Sequence, residues 1–174
     1  RLRLLNIFHG RCEELGINLQ FGREINDIKQ LKVDNFDLVV AGDGITSILR
    51  EHYQDKFGTK MDWRKNRFCW LATTKLLDNF NFIFRENQHG WWWAHAYGYE
   101  NGMSTWIVEC SNETFDRSGL EETNEEATRL YCEEVFSEDL DGHALVTNRS
   151  LWRAFPVITN EKLYYQKIIK VRNQ

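Results

Sequence analysis

The sequence of 174 residues lacks a long apolar run, a CxxC pair and an excess of basic residues. No apolar stretch approaches the ~20 residues that a transmembrane helix needs, so no membrane span is predicted. The formal net charge of −4 at pH 7 argues against a nucleic-acid platform, which usually has a basic face. The four cysteines show no disulfide framework, which indicates reduced, buried thiols in a cytoplasmic protein.

Aromatic residues are abundant, with seven Trp and eleven Phe in a chain that is 14% aromatic. Hydrophobic residues make up 42% of the sequence, which is enough to bury the core of one domain. Large rings dominate the energetics of packing, and they also line pockets for flat ligands. Both interpretations of the aromatic residues are open at this point.

The first fifty residues have the pattern of a helix, a strand, a second strand and a tight turn. Apolar residues at helical spacing fill residues 2–15, and residues 17–21 then alternate between apolar and polar. The run at residues 36–41 is largely apolar and ends in the glycine-rich residues 42–44. Such a run is typical of a strand that is buried on both faces, as in a parallel α/β sheet.

The sequence changes in character near residue 67 and predicts an antiparallel meander. Turn-type sequences separate four aromatic-rich runs, at residues 68–74, 80–85, 91–97 and 104–110. Ser111 and residues 123–126 have the pattern of helix caps and predict two helices. Two further strands fit residues 145–171.

The strongest local signal lies at residues 37–50, where the second strand leads into the glycine-rich turn. Gly42 and Gly44 let the backbone approach a bulky anionic ligand, and Asp43 lies at the carboxyl end of the strand. Open α/β sheets bind ligands at this end of their strands. Two interpretations fit. The turn either faces a dinucleotide, with Asp43 holding a ribose or ordered water, or it is an ordinary strand–turn–helix with Asp43 as the helix cap.

The same segment resembles the Asp-Gly motif of the FAD-dependent aromatic hydroxylases, which have the p-hydroxybenzoate hydroxylase-like fold. The residues that match are Asp43, Gly44, Ser47, Leu49 and Arg50. Four further segments resemble one branch of this family, that of salicylyl-CoA 5-hydroxylase, 2-aminobenzoyl-CoA monooxygenase and the violacein-pathway tryptophan hydroxylase. They lie at residues 91–97, 102–114, 141–143 and 152–156.

The resemblance implies a protein of the α/β (α+β) class with FAD and NAD(P)H as cofactors. Residues 1–60 would be a partial FAD-binding segment, and residues 61–174 a substrate-binding domain with a mostly antiparallel sheet and flanking helices. In this family a flavin C4a-hydroperoxide hydroxylates an aromatic ring, while the protein binds the ring, orients it and excludes water. No catalytic side chain and no metal are therefore expected. The cofactor-binding residues that the match implies are Arg1, Asp43, Gly44, Ser47 and Arg50.

Two motifs of the family are missing from this sequence. A G-x-G-x-x-G turn should cradle the FAD pyrophosphate at a helix N-terminus, and a Gly-Asp segment should follow the last strand of the substrate domain. Residues 167–174 stand at the place of the second motif without matching it. We therefore expect an internal fragment of a monooxygenase that is inactive as this piece alone. The alternative is a truncated, non-catalytic domain that binds an aromatic ligand.

Candidates for contact with an aromatic substrate lie on the predicted meander, and they are Trp92, His95, Thr73, Phe84 and Trp106. Side chains alternate between the two faces of a strand, so Trp92 faces one side and His95 the other. One face should pack on helices and the other should face the flavin, and the sequence does not decide which. An aryl-CoA substrate would call for basic residues such as those at residues 64–67, whereas an indole or tryptophan substrate would not.

The expected partners are an aromatic small molecule and a second copy of the chain. Without a first βαβ unit, the initial segment lacks neighbours for its parallel strand. It should therefore present an exposed apolar edge. Such an edge predicts self-association through strand pairing.

Overall fold

The computed structural model describes residues 2–99, 102–147 and 149–171. The helices within these residues are α1 (Leu2–Glu14), α2 (Ile48–His52), α3 (Gln54–Phe57), α4 (Asn112–Ser118), α5 (Glu125–Val135) and α6 (Ser137–Leu140). The strands are β1 (Val39–Ala41), β2 (Thr59–Thr73), β3 (Asn81–Asn87), β4 (Gly90–Gly98), β5 (Ser104–Cys110), β6 (Leu145–Thr147), β7 (Arg153–Asn160), β8 (Tyr164–Tyr165) and β9 (Ile168–Lys170). None of the described helices is long and apolar enough to cross a membrane.

The chain divides into two compact units. The first contains Arg1–Lys60 and Thr159–Gln174, and the second contains Met61–Ile158. The boundary expected at residue 60 falls between the two units. Residues 159–174, which the sequence analysis assigned to the substrate-binding domain, lie instead in the first unit. The cause is strand pairing, because β9 bonds to β1 in parallel with Val39 opposite Ile168.

The first unit is built on a three-stranded sheet in the order β1-β9-β8. β1 and β9 are parallel, while β8 and β9 are antiparallel. The apolar run at residues 36–41 therefore contains a parallel strand as the sequence predicts, but the expected burial on both faces is wrong, since Val40 is 58% exposed. A small core lies against this sheet and contains the buried residues Ala41, Leu49, Phe57 and Ile168.

The prediction of a strand at residues 17–21 is wrong. The structure has an irregular segment and a turn there, and no described strand pairs with it. Alternation of apolar residues does not make a strand unless a neighbour satisfies its backbone hydrogen bonds. The preceding helix α1 follows the predicted spacing, but none of its described residues is buried, and Phe8 is 57% exposed.

The second unit contains a larger sheet in the order β3-β4-β5-β2-β6, and β7 pairs with β2 outside this path. Each pair of neighbouring strands in this order is antiparallel. The predicted antiparallel meander is confirmed for β3, β4 and β5, whereas β2, which carries the first aromatic-rich run, pairs with β5 instead of β3. Helices combined with mostly antiparallel sheets also confirm the expected α/β (α+β) class.

Helices α4 and α5 begin at residues whose side chains cap them. Ser111 Oγ accepts a hydrogen bond from the Thr114 N–H at 3.1 Å, and Asn124 Oδ1 accepts one from the Ala127 N–H at 2.9 Å. Each cap satisfies an N–H that has no partner within its helix and contributes about 1 kcal/mol. The caps therefore help to fix the helices that pack on one face of the larger sheet.

In the described residues β1 pairs on one side only, which leaves an edge as the sequence predicts. Val40 on this strand is 58% exposed, and a groove of about 630 Å³ runs beside it, lined in part by Phe36 and Leu38. We expect this edge to make the chain self-associate at micromolar concentrations. Val40→Lys should return the chain to the monomer, since a charge on an edge strand opposes pairing.

Sedimentation velocity over a concentration series measures this self-association. Leu76→Lys is the matched control, because Leu76 is 65% exposed and lies outside the strands. A wild-type chain that stays monomeric throughout the series would contradict the proposal.

Candidate functional site

β1 leads into an open turn at residues 42–44. Gly44 has a φ of 76°, in the left-handed region that strains residues with a side chain. A Cβ added at Gly42 or Gly44 would meet no described atom within 4 Å. The outer side of this turn is therefore open, and a ligand can approach its backbone closely.

Asp43 in this turn is held by Lys170, a residue that the sequence analysis did not identify. The Lys170 ammonium donates to Asp43 Oδ1 at 2.9 Å and also to Ser47 Oγ. The side chain of Lys170 is 1% exposed, whereas that of Asp43 is 37% exposed. The only sequence signal for this role of Lys170 is a lysine within the otherwise apolar strand β9. Its position beside Asp43 follows only from the pairing of β9 with β1.

Opposing effects set the pKa of the Asp43 carboxyl group. Partial burial raises this pKa, while hydrogen bonds with Ser47 and Lys170 and the nearby ammonium charge lower it. The lowering effects together are larger, so the pKa of Asp43 lies below its ordinary value of 3.8. Asp43 is therefore ionised at neutral pH, and Lys170 balances its charge.

Ser47 and Arg50 support the turn from inside. Ser47 Oγ accepts a hydrogen bond from the Arg50 backbone N–H at 3.1 Å and caps α2. The Arg50 guanidinium donates to the carbonyl of Gly44 at 2.9 Å and to that of Ile45. Asp43 makes no capping bond with its side chain. Asp43 does stand at the N-cap position of the short 3-10 helix Gly44–Thr46, so the interpretation as a cap holds for its position and not for its side chain.

The turn brings together four of the five predicted cofactor residues, while Arg1 lies outside the described residues. Ser47 and Arg50 are 1% and 5% exposed, and their polar groups bond within the protein. Asp43 and the backbone beside it are left to face a ligand. The turn can thus accept a hydroxyl group and a close backbone contact. The two cations of the turn, Arg50 and Lys170, bond to atoms of the protein and are not available to a ligand.

One face of the larger sheet, in the second unit, is closed by helices. Three predicted substrate residues lie on this face: Trp92, Trp106 and Thr73, each 0% exposed. The Trp92 indole N–H donates to Asn87 Oδ1 at 3.1 Å. Full burial leaves these three side chains no surface for a ligand. Their assignment is therefore corrected from substrate contact to core packing.

The opposite face of this sheet is open and rich in aromatic rings. Cross-strand pairing forms two rows, Phe84–Trp93–Glu109–Phe68 and Phe82–His95–Ile107–Trp70. Phe82 is 60% exposed, Phe84 54% and Trp70 48%. We call this surface the aromatic face, and it comprises Phe68, Trp70, Phe80, Phe82, Phe84, Trp93, His95, Tyr97, Ile107, Glu109 and Phe155.

Rings on the aromatic face already stack on one another. Phe68 and Phe155 lie 3.9 Å apart between centroids with their planes at 6°. Phe80 and Tyr97 are stacked at 5.2 Å and 11°. Nearly parallel rings, of which Phe80 and Phe155 are exposed, are suited to continuing a stack with a flat ligand.

His95 and Glu109 supply polar groups within the aromatic face. His95 Nε2 lies 3.7 Å from Glu109 Oε1, and the side chains are 27% and 19% exposed. An imidazole in this position can donate or accept a hydrogen bond, and its protonated form pairs with the carboxylate. Two predicted substrate residues, Phe84 and His95, thus share the open face. A mostly apolar surface with a few polar groups is typical of a site for small organic ligands.

The chain resembles three curated aromatic monooxygenases along nearly its whole length. It is 33% identical over 170 residues to protodeoxyviolaceinate monooxygenase of Chromobacterium violaceum, which covers 97% of this chain. It is 34% identical over 163 residues to salicyloyl-CoA 5-hydroxylase of a Streptomyces species, over 89% of this chain. The third, 3-hydroxy-4-methyl-anthranilyl-[aryl-carrier protein] 5-monooxygenase of Streptosporangium sibiricum, is 30% identical over 92% of this chain. These relatives confirm the resemblance to aromatic hydroxylases.

The match covers a part of each relative: 45%, 31% and 40% of their lengths in the order given. No family model matches the chain. A solved structure, that of pqsL, a probable FAD-dependent monooxygenase from Pseudomonas aeruginosa, superposes with a TM-score of 0.51 at 16% identity. The superposition covers 78% of this chain and 37% of that one. It shows that the two share a fold over the matched part.

Proposed function

We propose that this chain is part of an FAD- and NAD(P)H-dependent monooxygenase and that its aromatic face binds the ring that is hydroxylated. The observation that carries the proposal is the aromatic face itself, an exposed sheet surface with stacked rings and the pair His95–Glu109. The relatives named above are monooxygenases with aromatic substrates, and the fold agrees with this function.

The Asp-Gly turn fits a part of the FAD molecule. Asp43 would accept a hydrogen bond from a ribose hydroxyl, and the open backbone at Gly44 would lie against the cofactor. Bound FAD, reduced by NAD(P)H, would supply the oxygen-transfer chemistry. Ser47, Arg50 and Lys170 would act indirectly, because their bonds hold the turn in shape and keep Asp43 ionised.

The aromatic face would position the substrate ring. Phe82 and Phe84 offer ring surfaces that exclude water, and such exclusion strengthens electrostatic interactions within a site. His95 would bond a polar substituent of the ring and so select one orientation, with Glu109 holding the imidazole. Orientation of this kind is the contribution that the protein itself makes in a cofactor enzyme.

The substrate belongs to one of two classes suggested by the relatives. Two of them act, by name, on an aromatic ring joined to coenzyme A or to an aryl-carrier protein. The third acts on protodeoxyviolaceinate. We propose an aromatic ring for this chain in either case, as an aryl thioester or as an indole-type compound.

A cytoplasmic location is part of the proposal and is supported by the thiols. Cys69, Cys110 and Cys132 are buried and unpaired. Burial raises the pKa of the Cys69 and Cys110 thiols to about 12, so both stay protonated at neutral pH. Reduced thiols of this kind are typical of cytosolic proteins.

Salicylate and indole serve as probes of the aromatic face. We expect both to shift the indole N–H signals of Trp70 and Trp93 in ¹H–¹⁵N NMR spectra, and to leave those of Trp92 and Trp106 unmoved. Phe84→Ala should weaken the binding of each probe by about threefold or more, the value of one aromatic contact. Phe21→Ala is the control, because Phe21 is 70% exposed in the first unit. Equal affinities in the two variants, or shifts confined to the buried indoles, would sink the proposal.

A second candidate is a non-catalytic domain that binds an aromatic ligand. It is favoured by the internal use of Ser47 and Arg50, whose polar groups bond within the protein at the turn. A visible spectrum after mixing with FAD and desalting separates the two. Retained flavin bands support a cofactor site in this chain. A folded, colourless protein that still binds salicylate supports the second candidate.

A further inference from the structure

The second unit contains a cavity that the proposed function does not use. It has a volume of about 820 Å³ and lies where β2 and β7 approach the start of α4. Its lining combines four cationic side chains with one carboxylate and two indole rings. The residues concerned are Arg64, Lys65, Arg67, Arg153, Glu113, Trp63 and Trp152. The whole lining belongs to the second unit.

We call this site the basic cavity, and most of its cationic side chains are free to bind a ligand. Among the described residues, Arg64 and Arg153 form no hydrogen bond or ion pair, and both are exposed. Arg67 donates its Nε to Asn112 Oδ1 at 3.0 Å, which leaves its two terminal nitrogens for another acceptor. Unpaired guanidinium groups are the donors that recognise phosphate best, because their planar fork matches phosphate oxygens.

The indole rings add a second element of recognition. Trp63 is 60% exposed at the cavity and can stack on a flat base. Trp152 is held from behind by ring contacts with Trp92 and Phe115 at 5.9 and 5.2 Å. A nucleotide-like ligand requires two features of its site: guanidinium groups that bind its phosphates, and an aromatic ring that stacks on its base.

We propose that this basic cavity binds the phosphate groups of an aryl thioester substrate, carried either on coenzyme A or on a phosphopantetheine arm. The inference rests on the proposed function and selects the thioester from its two substrate classes. A free indole has no charge that would use the four cations. The phosphate end of a thioester has that charge, and in coenzyme A it also has an adenine ring for Trp63.

Strand β2 connects the cavity to the aromatic face. Arg64 at the cavity precedes Trp70 on the aromatic face by six residues of the same strand, or about 20 Å at the rise of an extended chain, and the even spacing places both side chains on one face of the sheet. An extended pantetheine arm has a length of this order. The phosphates can therefore sit in the cavity while the arm carries the aromatic ring to the sheet.

Isothermal titration calorimetry with defined probes tests the assignment. We expect coenzyme A to bind the wild-type chain and pantetheine, which lacks phosphate, to bind at least tenfold more weakly. Arg64→Gln with Arg153→Gln should weaken coenzyme A binding by about tenfold, which corresponds to about 1.4 kcal/mol shared between the two exposed cations. Lys162→Gln removes one exposed charge in the first unit and should leave the affinity unchanged.

Two further probes distinguish the source of the phosphate. Binding of 3′-phosphoadenosine 5′-phosphate supports the coenzyme A form, and binding of 4′-phosphopantetheine without it supports the carrier-protein form. Failure of all phosphate probes, or equal affinity in the double variant and the Lys162 control, overturns the inference. Salicylate shifts at Trp93 would then still support the proposed function. Coenzyme A binding without those shifts would support the cavity and reject the aromatic face.

Discussion

Asp43→Asn should lower the free energy of unfolding by about 2 kcal/mol, because it leaves the buried ammonium of Lys170 without a counter-charge. Loss of one partner of a fully buried pair costs about 3–5 kcal/mol. The value expected here is smaller, since the Asp43 side chain is 37% exposed and water partly replaces it. Urea unfolding at pH 7, followed by circular dichroism, measures the change.

The double variant Asp43→Asn with Lys170→Met is the decisive comparison. Removing both charges should recover at least about 1 kcal/mol relative to Asp43→Asn, because no charge is then buried without a partner. Asp34→Asn serves as the control, since Asp34 is fully exposed and 4.0 Å from its partner Lys167. A double variant as unstable as Asp43→Asn would show that the ion pair does not hold the turn.

The same pair has a predictable dependence on pH. The pKa of Asp43 is lower in the folded chain than its ordinary value of 3.8, so its ionised form favours folding. This contribution is fully present above pH values near 3.8 and is lost as the pH falls through the lowered folded pKa. The stability difference between the wild-type chain and Asp43→Asn should therefore close in acid.

Trp92→Ala should lower the free energy of unfolding by about 3–5 kcal/mol, whereas Trp93→Ala should lower it by about 1 kcal/mol or less. Trp92 is 0% exposed and packs in the core beneath the helices, so its removal leaves a cavity. It also leaves Asn87 Oδ1 without the indole donor at 3.1 Å. Trp93 is half-buried on the aromatic face, where water can fill the space.

This pair of adjacent tryptophans tests which face of the sheet is closed. Chemical denaturation gives the stability, and salicylate titration gives the ligand affinity for the same two variants. Trp93→Ala should weaken salicylate binding while losing little stability. Equal losses of stability in the two variants would contradict the assignment of the faces.

The strands of the second unit were predictable from sequence because their signals are local. Alternation and turn residues mark residues 80–85, 91–97 and 104–110, and the structure places strands at all three. The choice between the Trp92 face and the His95 face was not predictable. It depends on α4 and α5, which lie further along the chain and cover one side of the sheet.

The Asp-Gly turn shows the same limit. The open backbone at Gly44 follows from the local sequence, and so does the cap at Ser47. The burial of Lys170 follows from a parallel pairing between strands more than a hundred residues apart. No local pattern reveals that pairing, so the sequence predicts neither the buried lysine nor the place of residues 159–174 in the first unit.

The position of the thiols has a consequence for resistance to oxidation. Cys69 and Cys110 lie on the helix-packed side of the sheet, fully buried, and their high pKa keeps them protonated. Peroxide attacks thiolates that solvent reaches, and the aromatic face presents no cysteine among its described residues. Peroxide that reaches the aromatic face would thus meet its rings, while Cys69 and Cys110 stay sheltered and Cys12 in α1 is only half-buried.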